Sequence, residues 1–187
     1  MREDGAVIDL PSRVLLYGVT GSGKTTAARR LAEVTGLPLV DVDEVCWEPG
    51  WVQVGVEEQR RRFSEICAGD RWVLDTAYGV WTDVALARAG LVVALDYPRP
   101  VSLFRLVRRT ASRIVRREEV CNGNRETVLR AIDDDSIIRW HFRSFRSKRE
   151  RILAWEADPA MPPVVRFTRP RDLDAWIDRL AIGSAAQ

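Results

Sequence analysis

The chain has 187 residues, 46% of them hydrophobic and 30% charged, and its 29 basic and 27 acidic side chains leave a formal charge of +2. That length is enough for one domain with a sizeable core, and the near-neutral balance gives no global drive towards nucleic acid or a membrane surface. The longest apolar run, Leu91 to Leu95, is far too short to span a bilayer, and the three widely spaced cysteines (Cys46, Cys67, Cys121) fit neither a disulfide framework nor a zinc pattern.

Residues 1–12 read as a short tail. Its acidic start, Met1-Arg-Glu-Asp-Gly5, is unlike a secretory leader, so a cytoplasmic protein is expected. Val14 to Tyr17 reads as a buried strand. It runs into Gly18-Val-Thr-Gly-Ser-Gly-Lys-Thr25, which fits the G-x-x-x-x-G-K-[ST] phosphate loop at every fixed position, and then into helix formers with Ala27, Leu31 and Val34 at helical spacing. The glycines let backbone N–H groups close on a phosphate, and the helix N-terminus adds donors and partial positive charge. Lys24 suits the β- and γ-phosphates, and the Thr25 hydroxyl suits Mg²⁺. The expected nucleotide-binding residues are therefore Gly18, Thr20, Gly21, Ser22, Gly23, Lys24, Thr25 and Thr26. The chain has only two lysines, Lys24 and Lys148, and one stands where a compact ammonium is wanted.

The helix should stop at Gly36, with Pro38 beyond it. Leu39-Val-Asp-Val-Asp43 reads as a second strand whose alternation puts Asp41 and Asp43 on one side, beside the phosphate loop if the strands are parallel. Trp47-Glu-Pro-Gly-Trp51 follows, either a stacking wall for a flat substrate or a hydrophobic plug. Glu57 to Ala68 reads as a helix with Phe63, Ile66 and Cys67 inward. A third strand, Arg71 to Thr76, ends in Asp75, the pattern of a carboxylate that holds a Mg²⁺ water or orients a nucleophile. Tyr78 and Trp81 lie in the next loop, and a helix over 82–89 precedes the fourth strand, Leu91 to Asp96, apolar throughout as in a sheet buried on both faces.

A long helix over 101–117 has an apolar stripe of Phe104, Val107, Ala111 and Ile114. Beside it runs a stripe of Arg105, Arg109, Arg113 and Arg116, within a stretch of seven arginines from Arg99 to Arg117. Like charges stacked at i, i+4 destabilise a helix unless an anion compensates, and a triphosphate in transfer is such an anion. Residues 118–136 read as a polar flap. A second long helix over 136–157 should turn Ile138, Phe142, Phe145, Ile152 and Trp155 inward, with His141 a packing or surface residue. A fifth strand, Val164 to Phe167, leads through Thr168-Arg169-Pro170 into a last helix with Leu173, Trp176, Ile177 and Leu180 on its apolar face. Arg169 is counted with the nucleotide-binding set.

Taken in order, the Gly18–Thr26 loop, Leu37-Pro-Leu-Val-Asp-Val-Asp43, Trp47–Trp51, Trp72-Val-Leu-Asp75, Leu95-Asp-Tyr-Pro-Arg99 with its arginine-rich helix, and Gly123-Asn-Arg-Glu126 make the chain resemble the small P-loop kinases related to adenylate kinase. The resemblance is closest to the adenylate-kinase-related or "DNA topology modulation" group. It implies a three-layer α/β P-loop NTPase fold, a five-stranded parallel sheet in the order 2-3-1-4-5 and a helical lid. It implies one domain over 1–187, with a substrate region at about 44–68 and an arginine-rich lid at about 105–136. Arg109 and Arg113 sit where nucleotide kinases place the arginines that precede the lid. Asp41-Val-Asp43 is similar to the Asp-x-Asp of shikimate-kinase-like enzymes, whose first acid lies near Mg²⁺ and second near the acceptor hydroxyl. The third strand ends Asp75-Thr-Ala-Tyr78, without the Asp-Gly-Phe-Pro-Arg signature by which adenylate kinases read an adenylate acceptor.

The expected activity is ATP-dependent, Mg²⁺-requiring phosphoryl transfer to a nucleotide or other small-molecule acceptor. Lys24, Asp43, Asp75, Arg109 and Arg113 are the expected catalytic residues, and Thr25, Asp41 and Asp75 the expected metal site. The alternatives are a nucleotide-dependent binding or regulatory module, and a plain NTPase with water as acceptor.

Overall fold

The structure, a computed structural model, describes residues 10–116, 118–125 and 136–184. Five short, apolar, β-branched runs pair into one parallel sheet. They are β1 (Arg13–Gly18), β2 (Leu39–Val40), β5 (Trp72–Leu74), β6 (Leu91–Leu95) and β9 (Val164–Phe167), in the spatial order β2-β5-β1-β6-β9. Counting those five alone, this is the expected 2-3-1-4-5. Between them the chain forms α1 (Lys24–Thr35), α2 (Val42–Cys46), the hairpin β3 (Trp47–Glu48) and β4 (Val52–Gln53), α3 (Val56–Ala68) and α4 (Thr82–Leu86). After β6 come α5 (Arg99–Arg116), the hairpin β7 (Glu119–Val120) and β8 (Asn124–Arg125), α6 (Ile137–Ala157) and, after β9, α7 (Pro170–Ser184).

Period-two alternation along β1 sends successive side chains to two cores. Val14 and Leu16 pack under α1 and α7 with Leu31, Leu173, Trp176 and Ile177. Leu15 and Tyr17 pack on the opposite face with Phe63, Trp81 and Ile152 of the α3–α4–α6 side. Helix–sheet–helix layering follows from a sheet that is apolar on both faces. Trp81 stacks on Phe63, ring centroids 3.6 Å apart, so this tryptophan is a core residue.

Three expectations change. Asp41 and Asp43 do not end a strand: β2 stops at Val40, Asp41 is the N-cap of α2, and Asp43 lies in its first turn. The face of α5 that packs inward carries Ser102, Leu106 and Thr110, whereas Phe104 and Val107 are exposed. On α6 the buried residues are His141, Ser144 and Ile152, and Phe142 is half exposed. Of the expected flap, 119–125 form the β7–β8 hairpin, while 126–135 lie outside the described residues. No helix among the described residues is long and apolar enough to cross a membrane.

Candidate active site

The C-terminal end of β1 opens into a loop that has no room for a side chain at Gly18 or Gly21. A Cβ on Gly21 (φ +81°) would stand 2.7 Å from Leu106 Cβ and against the Ser102 carbonyl, so glycine here lets α5 come down onto the loop. Gly23 (φ +97°) caps α1 in the left-handed region. The loop's interior is poor in partners. Ser22 is fully buried, and its Oγ finds no hydrogen-bond partner among the described residues. The first turn of α1 holds no acid that would compete for its free N–H groups. Lys24 Nζ folds back onto the Val19 carbonyl at 2.9 Å. Burial pushes Lys24 down to about 8, the charges of Asp75 and Asp43 partly offset this, and Arg109 adds to it. An orphaned hydroxyl, a glycine cradle and an under-neutralised ammonium together fit a bound phosphate chain.

Asp75, just beyond β5, is buried. It accepts from the Thr25 hydroxyl at 2.6 Å through Oδ2 and from the Val42 N–H at 3.0 Å through Oδ1. Burial raises its carboxyl above the ordinary range, with the charges of Asp41 and Asp43 acting the same way and the two hydrogen bonds opposing. Asp41 and Asp43 are thus near enough to Asp75 to act on its charge, although α2 rather than a strand delivers them. Asp41 pairs with the exposed Arg29 at 3.5 Å. Among the described residues no group of three His, Cys, Asp or Glu side chains is arranged to hold a metal ion. Thr25 and Asp75 fit Mg²⁺ in another way, as hard-oxygen partners of an ion whose remaining ligands are waters and phosphate oxygens.

Asp43 is held by a relay: the Trp47 indole N–H donates to the Tyr78 oxygen at 2.9 Å, and the Tyr78 hydroxyl donates to Asp43 Oδ1. Burial, followed by the Asp43 charge, drives Tyr78 far above its ordinary range, so its proton stays on the phenol. Trp47 and Trp51 meet edge to face at 5.9 Å across the β3–β4 turn. Two asparagines of the β7–β8 hairpin clasp that turn. Asn122 Nδ2 donates to the Glu44 and Trp47 carbonyls, Asn124 Nδ2 donates to the Glu48 carbonyl at 3.0 Å, and the Trp51 N–H donates to Asn124 Oδ1 at 2.7 Å.

Of the arginine stripe, Arg105 touches the phosphate loop: Nη1 donates to the Ser22 carbonyl at 3.2 Å, with the guanidinium 5.6 Å from the Tyr97 ring centroid. Arg109 is near enough to Lys24 to depress its pKa. Arg113 lies farther along, where its carbonyl accepts from the Glu118 N–H ahead of the β7–β8 hairpin. Arg169 is exposed at the head of α7, and its carbonyl accepts from the Asp172 N–H at 3.2 Å. Arg105, one turn before the pair singled out from the sequence, thus also reaches the loop. His141, buried on α6, shares a 2.9 Å hydrogen bond between Nε2 and Ser102 Oγ, pinning α6 to α5. Burial, reinforced by Arg99 and Lys24, lowers its pKa, which suits a neutral packing residue. From the sequence the α6 residues have packing roles only, but Lys148 Nζ lies 4.7 Å from the Tyr17 ring centroid, and the signal that could have found it was its being one of two lysines.

Residues 14–74 match the family model described as "ATPase family associated with various cellular activities (AAA)". Over 98 residues the chain is 37% identical to a shikimate kinase of Symbiobacterium thermophilum, covering 44% of this chain and 56% of that one. Over 80 residues it is 36% identical to the ATP-dependent protease ATPase subunit HslU of Staphylococcus haemolyticus, covering 42% of this chain but 17% of that one. The alignments thus span little more than half the length of one curated relative and a small part of the other. Among solved structures, shikimate kinase from Acinetobacter baumannii in complex with shikimate superposes with a TM-score of 0.55 at 20% identity, covering 96% of this chain and 97% of that one. A gluconokinase from Sinorhizobium meliloti 1021 gives 0.51 at 15% identity, covering 95% and 93%. The fold is that of the small P-loop kinases. Both sequence alignments cover less than half of this chain, and the likeness to the small kinases along nearly all of it is one of fold.

Proposed function

We propose that the chain is an ATP-dependent, Mg²⁺-requiring phosphotransferase, in the manner of adenylate-kinase-like enzymes, acting in the cytoplasm on the hydroxyl of a small molecule. The observation that carries this reading is the placement of Asp43 across from Lys24 and the Thr25–Asp75 pair. A phosphate cradle alone serves any NTPase. A carboxylate fixed beside it, with one oxygen tied to Tyr78 and the other without a hydrogen-bond partner among the described residues, serves an acceptor.

The loop amides from Thr20 to Thr25, together with Lys24, hold the β- and γ-phosphates. Thr25 and Asp75, with Asp41 behind them, are the residues that would hold Mg²⁺, which when bound screens the phosphate charge. The acceptor oxygen attacks the γ-phosphorus as the bond to the β–γ bridging oxygen breaks and ADP leaves, and Asp43 takes the hydroxyl proton. Arg105, with Arg109 and Arg113 behind it, meets the charge on the transferring oxygens. Residues 44–68 serve as the acceptor region and 105–136 as the lid, with the Asn122–Asn124 clasp joining them.

Isothermal titration of Mg·ATP into the wild type and Lys24→Ala tests the donor side. We expect affinity to fall at least about tenfold, the equivalent of one charge-assisted contact. Equal affinity would remove the phosphate loop from the account.

A further inference from the structure

The chain's second lysine has no part in the scheme above, yet it faces the same site. Lys148 extends from α6 to line a small cleft with Val19, Ile152, Arg149 and the buried Asp96, whose carboxylate is paired with Arg149 and Arg166, and its ammonium lies 4.7 Å from the Tyr17 ring centroid. Val19 is the residue whose carbonyl holds Lys24. One turn on, the Arg151 guanidinium lies close enough to Tyr17 to hold its phenol's pKa down against burial, and passes 3.5 Å from where a Cβ of Gly79 would stand, next to the residue that orients Asp43. Among the described residues neither cation is paired with a carboxylate.

The charges around Lys148 are Lys24 of the loop, Arg151 of its own helix and Asp43 of α2. Burial lowers Lys148 to about 7, Lys24 and Arg151 push the same way, and only Asp43 opposes. A cation held against two others, with an aromatic face and the single charge of Asp43 for compensation, destabilises the free protein. An arriving anion relieves that penalty.

Resting on the phosphotransferase reading, we propose that Lys148 and Arg151 form the seat for an anionic group, a carboxylate or a phosphate, on the phosphoryl acceptor. Across the Tyr78–Gly79 turn, Asp43 stands where the acceptor's hydroxyl would be. The acceptor is then a hydroxylated anion, gripped at its charged end by α6 and activated at its hydroxyl by α2. A planar guanidinium beside an ammonium offers both a fork and a point charge, which suits either oxyanion.

The two-lysine composition makes the test direct. Protein labelled with ¹³C at lysine Cε gives one resonance for Lys24 and one for Lys148, assigned with Lys148→Met, which keeps the apolar stem. With Mg·AMP-PNP filling the donor site, inorganic phosphate, D-gluconate and the neutral D-glucitol are titrated in turn. We expect phosphate or gluconate to shift the Lys148 resonance saturably and to raise its titration midpoint. That anion should bind at least about tenfold more tightly than D-glucitol, and lose at least about tenfold in Lys148→Met and in Arg151→Gln. Whichever anion binds better tells a phosphoryl from a carboxyl acceptor. The seat is overturned if neither anion moves the Lys148 resonance, if D-glucitol binds as well, or if both variants bind like the wild type. Failure of Mg·AMP-PNP to bind would strike the phosphotransferase reading itself, and the seat with it. Failure of the anions alone would strike only the seat.

Discussion

Asp43→Asn lowers kcat by about 10² to 10⁴-fold, the range general-base groups contribute, while Mg·ATP affinity stays within about threefold of wild type. The split follows from where the residue stands. Asp43 makes no hydrogen bond to the phosphate loop. It accepts instead from the Tyr78 hydroxyl, itself held by the Trp47 indole. Asparagine keeps the oxygen that accepts from Tyr78 and loses the negative oxygen left for the acceptor proton. Geometry is retained and basicity is not. Asp75 is a poorer candidate for that task, because both of its oxygens are engaged, one by Thr25 and one by the Val42 N–H. Single-turnover rates with nucleotide titrations check the split. Equal losses in nucleotide affinity and in kcat would instead assign Asp43 to the donor side.

Arg105→Ala lowers the rate of transfer by about 10² to 10³-fold, with a loss in Mg·ATP affinity of less than about tenfold, as for an oxyanion donor whose contacts strengthen as charge develops. Arg105 is anchored by the Ser22 carbonyl and by the face of Tyr97, which aim its guanidinium at the mouth of the cradle. Arg109→Ala should follow it closely, since Arg109 is in electrostatic contact with Lys24. Arg113→Ala should cost least of the three, because Arg113 sits towards the β7–β8 hairpin. Steady-state kinetics across the three variants measures the order, and a loss largest at Arg113 would mean that the lid engages in a different register.

What could be read from the sequence divides along physical lines. The strand–loop–helix of residues 13–35 and the buried face of α7 (Leu173, Trp176, Ile177, Leu180) are local patterns, and they stand as read. The Asp41–Asp43 stretch reads as a strand by alternation, but Val42, Val45 and Cys46 are also spaced i, i+3, i+4, and the helix that forms has its first N–H, that of Val42, satisfied by Asp75, just beyond the distant β5. On α5 the apolar stripe of Phe104 and Val107 outweighs Ser102 and Thr110 on any hydropathy count. The helix nonetheless turns Ser102, Leu106 and Thr110 inward, with the Ser102 carbonyl and Leu106 seated against Gly21, where the loop's missing side chain lets the helix backbone approach. Lys148 and Arg151 were out of reach altogether. Their meaning comes from Tyr17 and Gly79, far away in the chain, and no local pattern carries such a contact.

The central claim is that the phosphoryl group leaves ATP for a small-molecule hydroxyl and not for water. The most direct measurement incubates the protein with Mg·ATP labelled with ¹⁸O at the γ-phosphoryl group and a small-molecule cell extract, and follows the label by mass spectrometry. The account predicts a labelled phosphomonoester formed by the wild type and lost with Asp43→Asn. Label appearing only in inorganic phosphate, at equal rates with and without extract, would contradict it and make the chain an NTPase.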